Sequence, residues 1–280
     1  MLEVRAGERL DERQALEGLL VASANNIAPI LAKWDARSTT AFIAQMNTTA
    51  ASLGLKHTHF VEPSGLAAGN VGTSIDMMRL CAAALANPTI AAIVRLGEIK
   101  LPVAGTVINY DYEIGHHGII GIKTGSSTAV AGNFVFAARR TLDGRTPTVV
   151  GAVLNQEGTS TLETALSAGE RLAAAAFTAI RPLTILSSGR TAVRIQAGWA
   201  SKPILGRTTA PLHYLGLPGT PAKLKTRLAP AFAHNPPHQI RRGERLGSLT
   251  ATIGAHTYTV PIIATTSLPS PTIRYRLTRL

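Results

Sequence analysis

The sequence predicts an α/β chain of the α+β type, with a mixed domain over residues 1–181 and a small all-β domain over residues 182–280. Apolar residues recur at helical spacing in the first part, which also contains three consecutive β-prone runs. Beyond Arg181 and Pro182, short β-prone runs alternate with glycine and proline, and no convincing helix is found. The charge changes at the same point: residues 1–180 hold 14 Lys+Arg and 15 Asp+Glu, whereas residues 181–280 hold 14 Lys+Arg and one acid, Glu244.

Helices dominate the start of the mixed domain. Their apolar spacing places them at residues 13–21, 27–34, 38–53, 74–85 and 90–96. Asp11 and Ser38 are candidate N-caps, because a short polar side chain before a helix can accept a hydrogen bond from the first turn. Gly54 is suited to end the third helix, since glycine readily adopts the left-handed conformation.

Strands follow these helices. Residues 98–102 and 106–110 form a predicted hairpin, and residues 118–125, 133–140 and 147–154 form a predicted three-stranded antiparallel sheet. The Asp143-Gly144 pair before the last strand indicates a tight turn. An alanine-rich amphipathic helix over residues 161–180 completes the mixed domain.

The all-β domain has weaker signals. Its predicted strands are residues 191–196, 223–228, 246–253 and 257–263. Residues 272–280 carry Ile273, Leu277 and Leu280 with arginines between them, which indicates either a short basic amphipathic segment or a final strand.

Composition excludes several classes of protein. Hydrophobic residues are 45% and charged residues 16%, so a sizeable core is available and intrinsic disorder is not expected. The single cysteine, Cys81, excludes a disulfide framework and a cysteine-based zinc site. No apolar run approaches the ~20 residues that span a bilayer, and residues 1–5 do not resemble a signal peptide.

Two short motifs suggest serine acyl-transfer chemistry. Ser23-Ala24-Asn25 falls at a break between two helices, and Lys123-Thr124-Gly125 falls in a β-prone run. A hydroxyl and an amide at a helix–helix corner can relay a proton and bind a substrate amide. Each motif alone arises easily by chance, but their order and structural setting together favour a shared site.

The Lys123-Thr124-Gly125 motif is suited to binding the carboxylate of a substrate. Lys123 supplies a fixed positive charge, and Thr124 supplies a hydroxyl donor to the same group. Gly125 has no side chain, so a substrate backbone can lie along the strand. The amide of Ser126 is then placed to serve as one half of an oxyanion hole.

The wider sequence resembles the D-alanyl-D-alanine carboxypeptidases, the low-molecular-mass penicillin-binding proteins of bacterial cell walls. The resemblance rests on residues 52–66 with Glu62-Pro63-Ser64-Gly65-Leu66, on residues 73–77 and 118–125, and on residues 228–230, 242–249 and 260–262 of the basic domain. It implies a β-lactamase/transpeptidase-like fold and removal of the terminal D-alanine from peptidoglycan stem peptides in the cell envelope. It also implies inhibition by β-lactams and no need for a cofactor.

The resemblance assigns roles to matching positions. Ser23 would relay protons, Asn25 would orient a neighbouring lysine and the substrate, Lys123 and Thr124 would hold the terminal carboxylate, and Ser126 would give an oxyanion N–H. The family's nucleophile lies in a Ser-x-x-Lys element upstream, yet no serine here has a lysine three positions on. We therefore expect an N-terminally incomplete domain with no export signal, inactive alone and poorly soluble.

Alternatives from other classes stay open. The chain could be a non-catalytic peptidoglycan-binding or penicillin-binding-like scaffold, or a basic nucleic-acid-binding protein, although few aromatic residues are present for stacking. No metal site is expected, because the His57/His59 and His116/His117 pairs lack acidic partners. Asp111 and Glu113 are expected at a solvated hairpin tip.

The basic domain implies an anionic partner. Its net charge of +13 would hold it near an anionic membrane surface or wall polymer, with Arg241, Arg242 and residues 274–279 as the expected contacts. A solvated β domain without a partner is the alternative. No nucleic-acid partner is expected.

Overall fold

The computed structural model describes residues 1–127, 130–233, 239–254 and 256–273. The chain divides into two compact units, residues 1–178 and 179–280. Helices and an antiparallel sheet make up the first unit and strands make up most of the second, which confirms the predicted fold class. No helix in these described ranges is long and apolar enough to span a bilayer.

Five helices open the first unit: α1 (Glu12–Leu20), α2 (Ala28–Ala36), α3 (Thr39–Ser52), α4 (Ser74–Leu85) and α5 (Pro88–Ile93). The predicted caps are confirmed. The Asp11 carboxylate accepts a hydrogen bond from the Gln14 amide, and the Gln14 side chain accepts one from the Asp11 amide. Ser38 caps α3 by accepting a hydrogen bond from the Ala41 amide.

The sheet of the first unit lies between helices. A hairpin of β1 (Glu98–Leu101) and β2 (Gly105–Ile108) precedes the predicted three-stranded antiparallel sheet of β3 (Ile119–Ser127), β4 (Val130–Arg139) and β5 (Thr148–Gln156), and α6 (Thr161–Ala179) follows. Phe134 and Phe136 of β4 approach Gly169 of α6, where a larger residue would collide with the rings. Ala137 packs instead against Cys81 of α4, so helices cover both faces of β4.

Three residues of the first unit adopt positive φ for identifiable reasons. Asp143 and Gly144 both have positive φ, 49° and 72°, as the predicted tight turn requires. Gly121 in β3 has a φ of +109°, and a Cβ there would collide with the carbonyl oxygen of Val94. Glycine at 121 therefore lets β3 pass directly beside the end of α5.

Cys81 is buried beneath the sheet. Its side chain is 2% exposed, and its Sγ approaches the carbonyl oxygen of Phe136 at 3.8 Å. Burial raises the pKa of the thiol to about 12, so at neutral pH it behaves as a small apolar side chain.

The second unit is built on a five-stranded antiparallel sheet. Its elements are β6 (Arg181–Leu186), β7 (Thr191–Ile195), β8 (Ile204–Thr208), β9 (Leu212–Gly216), β10 (Lys223–Leu228), α7 (Pro230–Ala233), β11 (Arg245–Ile253) and β12 (His256–Ala264). The strand order is β10-β11-β12-β8-β7, while β6 pairs with β9. Leu186 and Leu212 of this pair are buried with Ile204, Leu246 and Ile262, so the pair covers one face of the sheet.

The second unit also differs from expectation. Strands β6, β8 and β9 and the four-residue helix α7 were not indicated by the sequence. Of the predicted amphipathic segment over residues 272–280, residues 274–280 lie outside the described residues.

Candidate active site

Ser23 and Asn25 lie at a tight corner between α1 and α2. Ser23 has a left-handed backbone, with a φ of 53°, and its carbonyl accepts a hydrogen bond from the Asn25 amide at 2.8 Å. Ala24 is completely buried, and its amide donates to the Gly18 carbonyl at 3.1 Å. The corner is therefore anchored to α1, and it holds a non-glycine residue in a costly conformation that is frequent at functional sites.

Lys123 reaches this corner from the middle of β3. Its Nζ donates a hydrogen bond to Ser23 Oγ at 2.5 Å and another to the carbonyl oxygen of Thr124 at 2.9 Å. Ser23 and Lys123 are 100 positions apart, so the contact depends on the tertiary fold. The structure thus brings the two sequence motifs into one site.

Asn25 carries an unsatisfied acceptor at the same corner. Its Oδ1 is buried and accepts no hydrogen bond from any described residue. A buried polar atom without a partner costs about 1–3 kcal/mol, and buried polar atoms are usually paired. The position therefore suits an N–H or ammonium donor from a bound molecule or from a further residue.

The residues after Lys123 lead to an open part of β3. Thr124 is buried, whereas Gly125 and Ser126 are exposed. A side chain at Gly125 would meet no other atom, so an extended ligand could approach the strand there. The strand register shifts between Gly125 and Ser127, which puts Ser126 at a bulge. The oxyanion role of the Ser126 amide stays a prediction.

Asp111 does not lie at a solvated hairpin tip, and that expectation is wrong. The residue is 2% exposed. Asn109 turns the chain inward, because its side chain accepts from the Asp111 amide at 2.8 Å and donates to the Leu96 carbonyl at 3.0 Å. Asp111 Oδ1 accepts from the Glu113 amide at 3.2 Å, while Oδ2 is buried without a partner among the described residues.

The alternation of apolar and polar residues around Asp111 predicts the opposite of the observed burial. Ile108, Tyr110 and Tyr112 are exposed, whereas the polar residues between them, Asn109 and Asp111, are buried. The alternation is that of an extended segment, but with its polar side turned inward. Such an inversion indicates a buried polar site.

Burial is the largest cause of the pKa shifts of both Lys123 and Asp111. Loss of solvent lowers the pKa of Lys123 to about 8, and the nearby Asp111 carboxylate opposes this change. Burial raises the pKa of Asp111 to about 7; the hydrogen bond from the Glu113 amide and the charge of Lys123 counteract the increase, and the Glu113 charge adds to it. Burial therefore disfavours both charges, whereas each charge favours the other.

Comparison with known proteins identifies the family. The family model described as D-alanyl-D-alanine carboxypeptidase matches residues 2–157, more than half of the chain. The chain belongs to this family. Its members are serine-type peptidases, in agreement with the resemblance of the sequence motifs.

Individual relatives match the chain in part. D-alanyl-D-alanine carboxypeptidase DacB2 of Mycobacterium tuberculosis is 35% identical over 144 residues, 49% of this chain and 49% of that protein. A D-alanyl-D-alanine carboxypeptidase of Streptomyces sp. strain K15 is 32% identical over 165 residues, 53% of this chain and 55% of that protein. The chain spans about half the length of these two relatives.

A solved structure extends the fold comparison. The crystal structure of the D-alanyl-D-alanine carboxypeptidase DacD from Francisella tularensis gives a TM-score of 0.62 at 20% identity, over 95% of this chain and 77% of that chain. At this identity the likeness concerns the fold alone, and it confirms the transpeptidase-like architecture expected from the sequence.

The family-like segment at residues 52–66 forms a rigid loop around Glu62. The Glu62 carboxylate accepts hydrogen bonds from the amide and hydroxyl of Ser64, the amide of Gly65 and the side chain of Asn70, each at 2.6 Å. Burial alone would raise the pKa of Glu62, but the hydrogen bonds from Ser64, Ala67 and Gly65 lower it to about 2.

Asp76 fixes this loop to α4. Its Oδ2 accepts hydrogen bonds from the His57 amide at 2.8 Å and from Thr58 Oγ1 at 3.0 Å. Thr73 caps the helix by accepting a hydrogen bond from the Asp76 amide at 3.3 Å. The hydrogen bonds of Glu62 and Asp76 thus make the loop a structural support beside α4.

The histidines do not gather into a metal site in the described part of the chain, where no three His, Cys, Asp or Glu side chains are grouped to hold an ion. His116 and His117 are exposed, and His117 pairs with Glu170 at 2.9 Å, so the expectation that this pair lacks an acidic partner is wrong.

Proposed function

We propose that this chain provides the carboxylate-binding side of a serine-type D-alanyl-D-alanine carboxypeptidase. The enzyme would remove the terminal D-alanine of peptidoglycan stem peptides through an acyl-enzyme, and β-lactams would acylate the same nucleophile. The observation that carries this proposal is the hydrogen bond from Lys123 Nζ to Ser23 Oγ, because it joins the two motifs of the family in one site.

Each residue of the site then has a proposed role. Lys123 and Thr124 hold the terminal carboxylate of the peptide, and the open strand at Gly125 accepts its backbone. Ser23 passes a proton to the leaving D-alanine amine, since its hydroxyl already bonds an ammonium that can donate in turn. The Ser126 amide supplies an oxyanion N–H.

Asn25 Oδ1 is suited to position the general-base lysine that the acyl-enzyme route requires. Its buried, unpaired acceptor suits the ammonium of a general-base lysine in a Ser-x-x-Lys element. No serine among the 280 residues is followed by lysine three positions on, so the nucleophile of this route is not within them. We expect that a fluorescent penicillin will not label these 280 residues stoichiometrically.

The alternative is a non-catalytic function. A chain with the carboxylate site but without the nucleophile would bind stem peptides and not cleave them, as a cell-wall scaffold would. Release of D-alanine by a chain extended upstream with a Ser-x-x-Lys element supports the enzyme, and binding without release supports the scaffold. Both functions place the protein outside the cytoplasmic membrane, in the cell envelope.

Peptide binding tests the site directly. We expect a peptide ending in D-Ala-D-Ala with a free carboxylate to bind at least roughly tenfold more tightly than its C-terminal amide, because a charged hydrogen bond at a partly buried site contributes about 1.5–3 kcal/mol. Lys123→Gln should abolish this difference in calorimetry. Lys100→Gln, which removes an exposed lysine of β1, should keep it. Equal affinity of acid and amide for the unaltered chain would refute the proposal.

A further inference from the structure

The five-stranded sheet of the second unit has one face that the core does not use. Leu249 and Ala251 of β11 and Val260 and Ile262 of β12 are buried in the core. Because side chains alternate along a strand, the residues between them point away from the core. This opposite side is termed the outer face.

Cations and hydroxyls occupy the outer face. Its cations include Lys223, Lys225 and Arg227 of β10, Arg207 of β8 and Arg194 of β7, and its hydroxyls include those of Ser248, Thr250, Thr252, Thr257 and Thr259. All five cations are exposed.

The residues of β10, β11 and β12 form a ladder in register. Lys223 is paired with Thr252, which is paired with Thr257, and Lys225 is paired with Thr250, which is paired with Thr259. The hydroxyls of Thr250 and Thr259 lie 3.2 Å apart, as expected for neighbours on one face. The same row, one cation beside two hydroxyls, therefore occurs twice at the edge of the sheet. The two rows are about 6.6 Å apart, which is the spacing of alternate residues in a strand.

Nothing on the sheet neutralises this charge. The five strands contain no Asp or Glu, and none of the five cations forms an ion pair with a described residue. Glu244, the one acid of residues 181–280, lies in the turn before β11, where it accepts a hydrogen bond from the Arg241 amide. The outer face thus presents uncompensated positive charge.

The side chains of the outer face indicate which class of partner it can bind. Tyr258 points to the core side, and the outer face carries no aromatic side chain for stacking on nucleic-acid bases among its described residues. Leu205 and Ile263 on the outer face are half-buried and offer no exposed group to insert into a bilayer. Lysine, arginine and hydroxyl donors together are the groups that bind phosphate oxygens.

We propose that the outer face binds a linear phosphodiester polymer without aromatic bases, laid along β10. A linear polymer repeats its anions in one direction, as Lys223, Lys225 and Arg227 repeat their cations. Arg227 can hold a phosphate through two hydrogen bonds, and the lysines act as point charges. The threonine hydroxyls beside them donate to the remaining phosphate oxygens.

Binding of poly(glycerol phosphate) to the 280-residue chain tests this proposal. We expect affinity to fall steeply between 50 and 200 mM salt, because bound cations release counterions. The variant Lys223→Gln/Lys225→Gln/Arg227→Gln should bind roughly tenfold or more weakly at low salt, with a shallower salt dependence. The control Arg181→Gln/Arg190→Gln/Lys202→Gln removes the same charge from exposed positions of the same unit that lie off the outer face, and it should lose less than about threefold.

Three results would overturn the proposal. An equal loss in both triple variants would show that net charge alone attracts the polymer. Tighter binding through β10 to phosphatidylglycerol vesicles than to the polymer would favour a membrane. Tighter binding to single-stranded DNA would favour a nucleic acid. Circular dichroism of both variants confirms that each is folded.

Discussion

At the scale of single residues, the site depends on Lys123 and Asp111, which shift each other's pKa. Lys123 is stripped of solvent and would lose its proton more readily without a carboxylate nearby, and Asp111 supplies that carboxylate. Asp111 in turn is buried with one oxygen unpaired among the described residues. It acts on the site through Lys123, so it is a positioning residue.

Asp111→Asn should lower the pKa of Lys123 below about 8, because the amide no longer favours the ammonium. The measurement is a pH titration of ¹³C-methylated lysines by NMR, with Lys123→Arg used to assign the resonance. Glu113→Gln is the matched control, since Glu113 changes the pKa of Asp111 and has no such effect on Lys123. An unchanged or higher pKa of Lys123 in Asp111→Asn would contradict the assignment.

Glu62→Gln should destabilise the chain by about 1–2 kcal/mol at pH 7, less than the full pKa change implies because Glu62 is only partly shielded from solvent. The pKa of Glu62 is lowered from 4.5 to about 2, so its stabilisation is complete above pH 4.5 and is lost as pH falls towards 2. Urea unfolding of both proteins at pH 7 and pH 3 should show a smaller difference at pH 3. A difference that grows with acidity would refute this interpretation.

At the scale of elements, local signals predicted some segments closely and missed others for physical reasons. The helix expected at residues 74–85 has the observed bounds, because Thr73 and Asn87-Pro88 mark its ends. Strand β6 was missed because it contains Pro182, a residue type that central strands exclude, and the structure places it in a two-stranded pair. The burial of Asp111 was missed because it depends on tertiary contacts.

Gly121→Ala should lower the stability of the first unit by about 1–3 kcal/mol, because φ is positive and a Cβ would collide with the Val94 carbonyl. The urea midpoint of unfolding is the measurement. Gly125→Ala serves as a control on the same strand, since its Cβ meets open space, and its midpoint should stay the same. Equal midpoints for all three proteins would mean that β3 tolerates a side chain at position 121.

At the scale of the whole molecule, the two units differ in both core and charge. The core of the second unit is formed within residues 186–268. Most of its buried side chains come from β6, β9 and the five-stranded sheet, and Ala197, Ile240 and Leu268 come from segments between or after the strands. The excess positive charge lies in this unit as well. The domain boundary predicted at residues 181 and 182 stays a prediction.

Residues 179–280 expressed alone should fold, because their apolar core is contained within them. Dispersed amide resonances and cooperative urea unfolding are the expected results. Leu246→Ala, at a completely buried position, should then cost about 2–5 kcal/mol. Collapsed, poorly dispersed resonances for this polypeptide would show that it needs the rest of the chain.

The burial of Cys81 has a practical consequence for such measurements. With a thiol shielded by the sheet and a pKa of about 12, it will react slowly with maleimides at neutral pH. A cysteine introduced at an exposed position would then be the preferred target for a dye or spin label. Reporter groups can therefore be attached without first replacing the native cysteine, which keeps the packing around Phe136 and Ala137 intact.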